Sequence, residues 1–319
     1  MTASSDRHTA SDGSAGSAAS AASAVSAGSS GSAAALADRR ILFVGGGNMA
    51  NAMIGGLVAG GVPAARVAVI EPAAAARQAL TDRHGALLAF AGADDIGSDE
   101  RFDAVVLAVK PQQAGAALMA CRELLRRSPD AVLLSIAAGL CVDLLVAMSG
   151  GHRRVMRAMP NTPSLIGEGI AGLFAPAGTQ ATDRELASAI LSGTGDVVAV
   201  DQEHLMDTVT AVSGSGPAYA FYLIEAMTEA GVAGGLDDAS ARLLAIQTVK
   251  GAALLAGGSD EAPEVLRQRV TSPGGTTAAA VAVLDQRLVK ASIGEAIRAA
   301  ALRSRQLSDE AQAAQGPAT

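Results

Sequence analysis

This 319-residue chain has few of the residues that build disulfide frameworks or metal centres, and no basic block of the kind that makes a nucleic-acid surface. Its two cysteines, Cys121 and Cys141, have no CxxC spacing and fall in or beside predicted helix and strand. That pattern fits buried, reduced thiols in a cytoplasmic protein. Four scattered histidines show no HExxH or related spacing and outline no metal site. There is no block of Lys and Arg, and the net charge is -7, which argues against a nucleic-acid or anionic-membrane partner. What remains is half apolar and 17% charged, enough for a sizeable core in about two domains.

Charge is also absent from Gly13 to Ala37, a run of 25 residues. The length would span a bilayer, but Ala, Ser and Gly offer too little apolar surface for a membrane helix or a secretory segment. Arg7 is the only Arg before Arg39, which is poor for a transit peptide. Residues 1–37 are therefore expected to be a disordered extension, and 308–319 a second flexible end.

The folded part opens with ILFVGGGNMANAMIGGL, residues 41–57. An apolar run suited to a buried strand breaks into glycines and continues with helix formers. Gly45-x-Gly47-x-x-Ala50 has the spacing of a dinucleotide-binding turn. Gly45 permits the tight turn, Gly47 lets backbone approach a diphosphate, and Ala50 keeps helix and strand close. The helix start offers free N–H groups to the anion. A second strand, 66–70, ends in Glu71, 21 residues beyond Ala50. A carboxylate there accepts from an adenosine ribose and repels a 2'-phosphate, favouring NAD over NADP. A solvated strand-end glutamate is the other reading, and Arg66 or Arg77 could still reach a phosphate.

Helix 73–84, a short strand near Leu87, strand 104–111, helix 112–127 and strand 131–139 follow. This alternation predicts a Rossmann-type, doubly wound parallel sheet over 38–201, with ligands at the carboxyl ends of its strands. Lys110 and Pro111 close one strand; Ala137, Ala138 and Gly139 close the next. In RAMPNTPSLIGEG, residues 157–169, two prolines bracket Asn161 and would leave its amide free to bond something specific. After a last strand at 197–200, segments 211–231 and 239–257 are helical and apolar on most faces. Helices apolar all round need cover that this region cannot supply alone, so 202–307 is expected to be an all-helical dimerisation domain.

VGGGNMANAMIGGL, AVKPQ, RAMPNTP, VSGSGPAY and VTSPGGTTAAAVAVLDQ, in this order, resemble the pyrroline-5-carboxylate reductase family from about Arg40 to about Arg305. The resemblance implies reduction of 1-pyrroline-5-carboxylate to L-proline with NADPH or NADH, in homodimers often built up to decamers. It assigns Val44, Gly45, Gly46, Gly47, Asn48 and Met49 to the cofactor diphosphate. Ala108, Val109, Lys110, Pro111, Ala137, Ala138 and Gly139 would border the nicotinamide ribose, and Asn161 the nicotinamide. Glu203, Ser272, Gly274, Gly275, Thr276 and Thr277 would contact substrate, with Thr277 the catalytic candidate. Glu71-Pro72 departs from the Ser or Arg-containing turn of NADPH-preferring members, and Arg269 stands where some members have Asn.

The chemistry suits these residues. A cyclic imine protonated on nitrogen is already electrophilic at carbon, so the protein must mainly hold two flat reactants in place. Gly274 and Gly275 expose N–H groups to the substrate carboxylate, and Thr277 can hydrogen-bond the ring nitrogen. Two other readings stay open: a hydroxyacid-type dehydrogenase using Lys250, and a non-catalytic dinucleotide sensor.

Overall fold

The computed structural model describes residues 24–25 and 35–315. The rest of the expected extension and of the tail lies outside the described residues. In chain order, β1 (Ala24–Val25) and β2 (Ile41–Val44) precede α1 (Asn48–Ala59), β3 (Val67–Ile70), α2 (Ala74–His84), β4 (Leu88–Phe90) and β5 (Ala104–Leu107). Then come α3 (Pro111–Ala120), α4 (Arg122–Arg127), β6 (Val132–Ser135), α5 (Val142–Met148), β7 (Val155–Met159), β8 (Gly169–Phe174), α6 (Ala181–Ser192) and β9 (Gly195–Val200). From there the described chain is helical: α7 (Leu205–Val209), a π-helical turn Thr210–Gly214, α8 (Gly216–Ala233), α9 (Asp238–Gly257), α10 (Pro263–Arg269), α11 (Thr276–Gln286) and α12 (Val289–Gln315).

The strands form one sheet in the order β1-β9-β8-β7-β6-β5-β2-β3-β4. The six from β4 to β7 are parallel; β7 with β8, and β1 with β9, pair antiparallel. Alternation along β2 divides the core. Ile41 and Phe43 face α1, α2 and α6 through Met53, Ile54, Leu80 and Ile190, whereas Leu42 and Val44 face α3, α4 and α5 through Leu118, Leu124 and Leu145. Both faces of a parallel sheet are thus covered, which is why its strands read as continuous apolar runs.

Several expectations change. Helix 112–127 divides at Cys121 into α3 and α4. β7 and β8 carry a buried Arg and three glycines or alanines, a poor strand signature. Residues 35–37 are part of the fold, because Leu36, the first large apolar side chain after the Ala/Ser/Gly run, is 1% exposed in the core. Ala24–Val25 pairs with Val197–Val198, supplying partners to a sheet edge that would otherwise leave polar backbone groups open. The tail is helical through Gln315, since Ala311 packs on the core and Ser308 bonds back to Ser304. Cys121 is buried and its thiol pushed up to about 11 by desolvation, but Cys141 is only half-buried.

The helical region leaves its apolar surface open. Tyr222 and Leu255 are each 74% exposed, and Phe221, Leu243, Leu244 and Leu254 are also bare. Within α8 and α9 only Ala241 and Ala245 are buried. Among the described residues, no helix is long and apolar enough to cross a membrane. A face this apolar calls for another protein surface.

Gly56 of α1 meets Gly193 at the end of α6 so closely that a Cβ would lie 1.8 Å from the Gly193 carbonyl oxygen. Alanine improves helix propensity by about 1 kcal/mol, but the overlap is backbone on backbone and costs roughly 1–3 kcal/mol or more. Gly56→Ala should therefore cost up to about 2 kcal/mol net and lower the urea midpoint accordingly. An unchanged or raised midpoint would show that the two helices are not held at this distance.

Candidate active site

Chain order places β3 and β4 on one side of β2 and β5 to β7 on the other, so the strand order reverses between β2 and β5 while the strands stay parallel. Ligands of such sheets bind in the crevice at the strands' carboxyl ends beside that reversal. The glycine turn and the AVKP segment meet there. Gly45 (φ +100°) donates its N–H to the Ile70 carbonyl at 2.9 Å. A Cβ on it would come within 2.7 Å of both the Ala108 carbonyl oxygen and Val109 Cγ1. Only glycine allows this approach.

Gly47 is different, because a Cβ there would meet nothing within 4 Å. It is the N-cap of α1, with no side-chain cap and no acidic residue in the first turn. The first N–H groups of a 12-residue helix therefore face open space beside a glycine. Room without a Cβ, free N–H donors and a positive helix end fit a diphosphate. Val44 is buried at the strand end, Asn48 exposed and Met49 partly buried against the core. Lys110 is the exposed N-cap of α3 and Pro111 its first residue, so both lie on the rim of the crevice.

Glu71 follows β3 and braces this turn. Its carboxylate accepts from the Gly46 N–H at 3.0 Å and the Ala73 N–H at 2.9 Å. Arg77 donates to the carbonyls of Glu71 and Pro72, both at 2.7 Å. The side chain is neither a loosely solvated glutamate nor wholly free for a ribose.

The ends of β6 and β7 form the other wall. Ala137 donates to Ser135 Oγ at 3.3 Å, and Gly139 turns the chain with φ +75°. Asn161 departs from expectation: its amide is used by the protein itself. Nδ2 donates to the Ser213 carbonyl at 3.2 Å and Oδ1 accepts from the Ile170 N–H at 3.0 Å. The prolines thus hold Asn161 as a tie between β8 and the π-helical turn, and at 8% exposure little of it is left to meet a ligand. Gly214 sits against Met159, where a Cβ would be 2.7 Å from Met159 Cε. RAMPNTP and VSGSGPAY are therefore neighbours.

Glu203 is likewise engaged. Its Oε1 accepts from Arg157 Nη1 at 2.7 Å and from the Val142 N–H at 2.8 Å, at the start of α5. Arg157 was not singled out from sequence, although a charge inside the strand VMRAM is buried and must find a partner. Arg154 with Asp183 is a second ion pair of this kind.

The SPGGTT segment has no hydrogen bond to the glycine turn among the described residues. α11 packs against α12, and among the described residues no hydrogen bond from 270–277 reaches the sheet region. Its geometry also corrects one detail. Gly275 N–H is not available to a ligand, because it closes a turn on the Ser272 carbonyl at 3.0 Å. Gly275 is instead the N-cap of α11 and carries no capping side chain, so the N–H groups of Thr276, Thr277 and Ala278 stay open. Ser272, Gly274 (φ +70°) and Thr276 are exposed, and Thr277 is partly so. Lys250 stands exposed on α9 with no ion pair among the described residues.

Comparison with known proteins agrees with this division. A family model described as pyrroline-5-carboxylate reductase dimerisation matches residues 203–307, and one described as NADP oxidoreductase coenzyme F420-dependent matches 40–139. The chain is 42% identical to the pyrroline-5-carboxylate reductase of Pseudomonas aeruginosa over 271 residues, covering 85% of this chain and 97% of that one. It is 40% identical to that of Haemophilus influenzae, covering 84% and 97%. A solved pyrroline-5-carboxylate reductase from Coxiella burnetii superposes with a TM-score of 0.80 at 36% identity, covering 85% of this chain and 98% of that one. The Plasmodium falciparum enzyme, solved with NADP bound, gives 0.73 at 28%, covering 86% and 99%. With both regions matched and nearly the full length of each relative covered, this chain belongs to the pyrroline-5-carboxylate reductase family.

Proposed function

We propose that this chain reduces the C=N bond of 1-pyrroline-5-carboxylate to give L-proline, using NADH or NADPH. The observation that carries the reading is the pairing of an open diphosphate cradle at Gly45–Met49 with a second, uncapped helix start at Thr276–Ala278. A nicotinamide dinucleotide, when bound, supplies the hydride. The chain's own residues bind and orient. Gly47 and the first turn of α1 hold the diphosphate, and Ala108–Pro111 with Ala137–Gly139 border the ribose beyond it. The N–H groups of Thr276, Thr277 and Ala278, with the open Gly274, take the substrate carboxylate. The Thr277 hydroxyl hydrogen-bonds the ring nitrogen and keeps the protonated imine in register.

Within one chain no hydrogen bond among the described residues joins these two helix starts, and the helices between them present bare apolar faces. Both facts have one solution: a second copy covers the apolar faces and brings its Thr277 to the first copy's cradle. The working unit is then a two-fold homodimer. Larger rings such as a decamer, and a cytoplasmic location, extend the same reading.

The assay is oxidation of NADH and of NADPH, each with pyrroline-5-carboxylate; no turnover with either would remove the proposal. Thr277→Ala should lower kcat/KM for the imine by about a hundredfold with cofactor affinity nearly intact, and an equal loss of cofactor affinity would contradict its place at the substrate. A Glu71 carboxylate that also reaches the ribose would favour NADH, and Glu71→Ser should then move the NADPH-to-NADH ratio of kcat/KM upward by about tenfold. A ratio that does not move would mean the carboxylate serves only Gly46 and Ala73. Leu255→Glu should shift the chain to monomers on gel filtration and abolish turnover together. Active monomers would contradict a shared site.

A further inference from the structure

The expected flexible tail is the end of α12, and it returns to the crevice. Residues 308–315 lie beyond both matched family segments, 40–139 and 203–307. Gln312 Nε2 donates to Cys141 Sγ at 3.0 Å. Gly139 faces the helix, where a Cβ on it would be in ordinary van der Waals contact, 3.5 Å from both the backbone nitrogen and Oγ of Ser308. Ala311 packs on the apolar cluster that contains Leu140 and Leu145. One turn before Ser308, buried Ser304 donates to Asp207 Oδ1 at 2.6 Å, which fixes α12 to α7. From the other side, Glu203 holds the Val142 N–H at 2.8 Å. The loop from Gly139 to Val142 is thus gripped by the helical region at both ends.

We propose that Ser308, Ala311 and Gln312 are positioning residues for the cofactor: they set the Gly139–Cys141 loop, and through it the Ala137–Gly139 wall of the crevice. This rests on the reading of that wall as the nicotinamide side of the site. Gln312 to Cys141 is one weak bond to sulfur, and Ala311 is one small side chain, so each alone adds little to stability. Their effect is geometric. They fix a loop that turns at a left-handed glycine and has a half-buried rather than fully packed Cys141. Misplacing a binding wall by a fraction of an ångström is felt in affinity before it is felt in folding. The grip also couples the two regions, because the helix that sets the wall is anchored on α7, next to Glu203.

The test uses the full chain. Ala311→Glu places a charge in the seat of α12; Gln312→Ala removes only the bond to Cys141; Glu310→Ala, in the exposed Glu310–Arg303 ion pair, is the control. Dissociation constants for NADH and NADPH are measured by calorimetry, with kcat, both KM values, oligomer mass and Tm. Ala311→Glu should weaken both cofactors by about tenfold, with kcat at saturating cofactor within about twofold of wild type and oligomer mass unchanged. Gln312→Ala should give about threefold in the same direction, and Gln312→Asn, which keeps the amide one carbon shorter, should recover part of it. Glu310→Ala should match wild type. Should Ala311→Glu fail to fold, Gln312→Ala decides. Wild-type cofactor constants in Gln312→Ala and in any folded Ala311→Glu, whether or not Tm falls, would overturn the proposal. A wild-type chain that does not bind either cofactor would instead overturn the reading of the crevice itself.

Discussion

Apolar helix faces left without cover in their own chain are the constraint from which the rest follows. α8 and α9 pack on each other, yet their larger side chains point outward, with Tyr222 and Leu255 three-quarters exposed. Burying a side chain of this size is worth about 1.5–3 kcal/mol, so several together outweigh the cost of association. The same helices lie between the glycine turn and SPGGTT in sequence. Covering them with a second copy is therefore also what can bring the substrate-side N–H groups to a cofactor cradle. On the proposed function, assembly and site geometry become one requirement.

Within one chain, the sheet end is made rigid by backbone contacts that only particular residues permit. Gly45 lies against the Ala108 carbonyl, Gly46 is pinned by Glu71, and Gly214 lies against Met159. Two side-chain ties then carry position from the sheet into the helices: Asn161 to Ser213, and Arg157 through Glu203 to Val142. Arg157 is the more desolvated partner, at 11% side-chain exposure against 31% for Glu203, so removing Glu203 leaves a largely buried charge without its partner, a strongly destabilising change. Such ties make the relation between wall and helix definite, which a reaction between two flat molecules requires.

Much of this was legible in the amino-acid order. Gly45, Gly47 and Ala50 marked the turn because their spacing reports backbone geometry, and Glu71 marked the end of the next strand. β7 and β8 were not legible: Arg157 interrupts one and three small residues dilute the other, so neither shows the apolar run of a buried strand. The internal hydrogen bonds of Asn161 and Gly275 were not legible for a common reason. A polar group in a proline- or glycine-rich loop looks available until its partner, here Ser213, Ile170 or the Ser272 carbonyl, is placed beside it. Composition likewise described the tail as loose, whereas Ala311 and Gln312 act through contacts about 170 residues away in sequence.

The claim that one site takes its cradle from one chain and its threonine from another is tested most directly by complementation. Gly47→Glu, which puts a carboxylate into the open cradle, and Thr277→Ala are each poorly active alone and are produced together in the same cells. Random pairing makes about half of the dimers mixed, each with one intact site, so activity should recover to about a quarter of wild type. Activity that stays at the average of the two parents would contradict a site shared between copies.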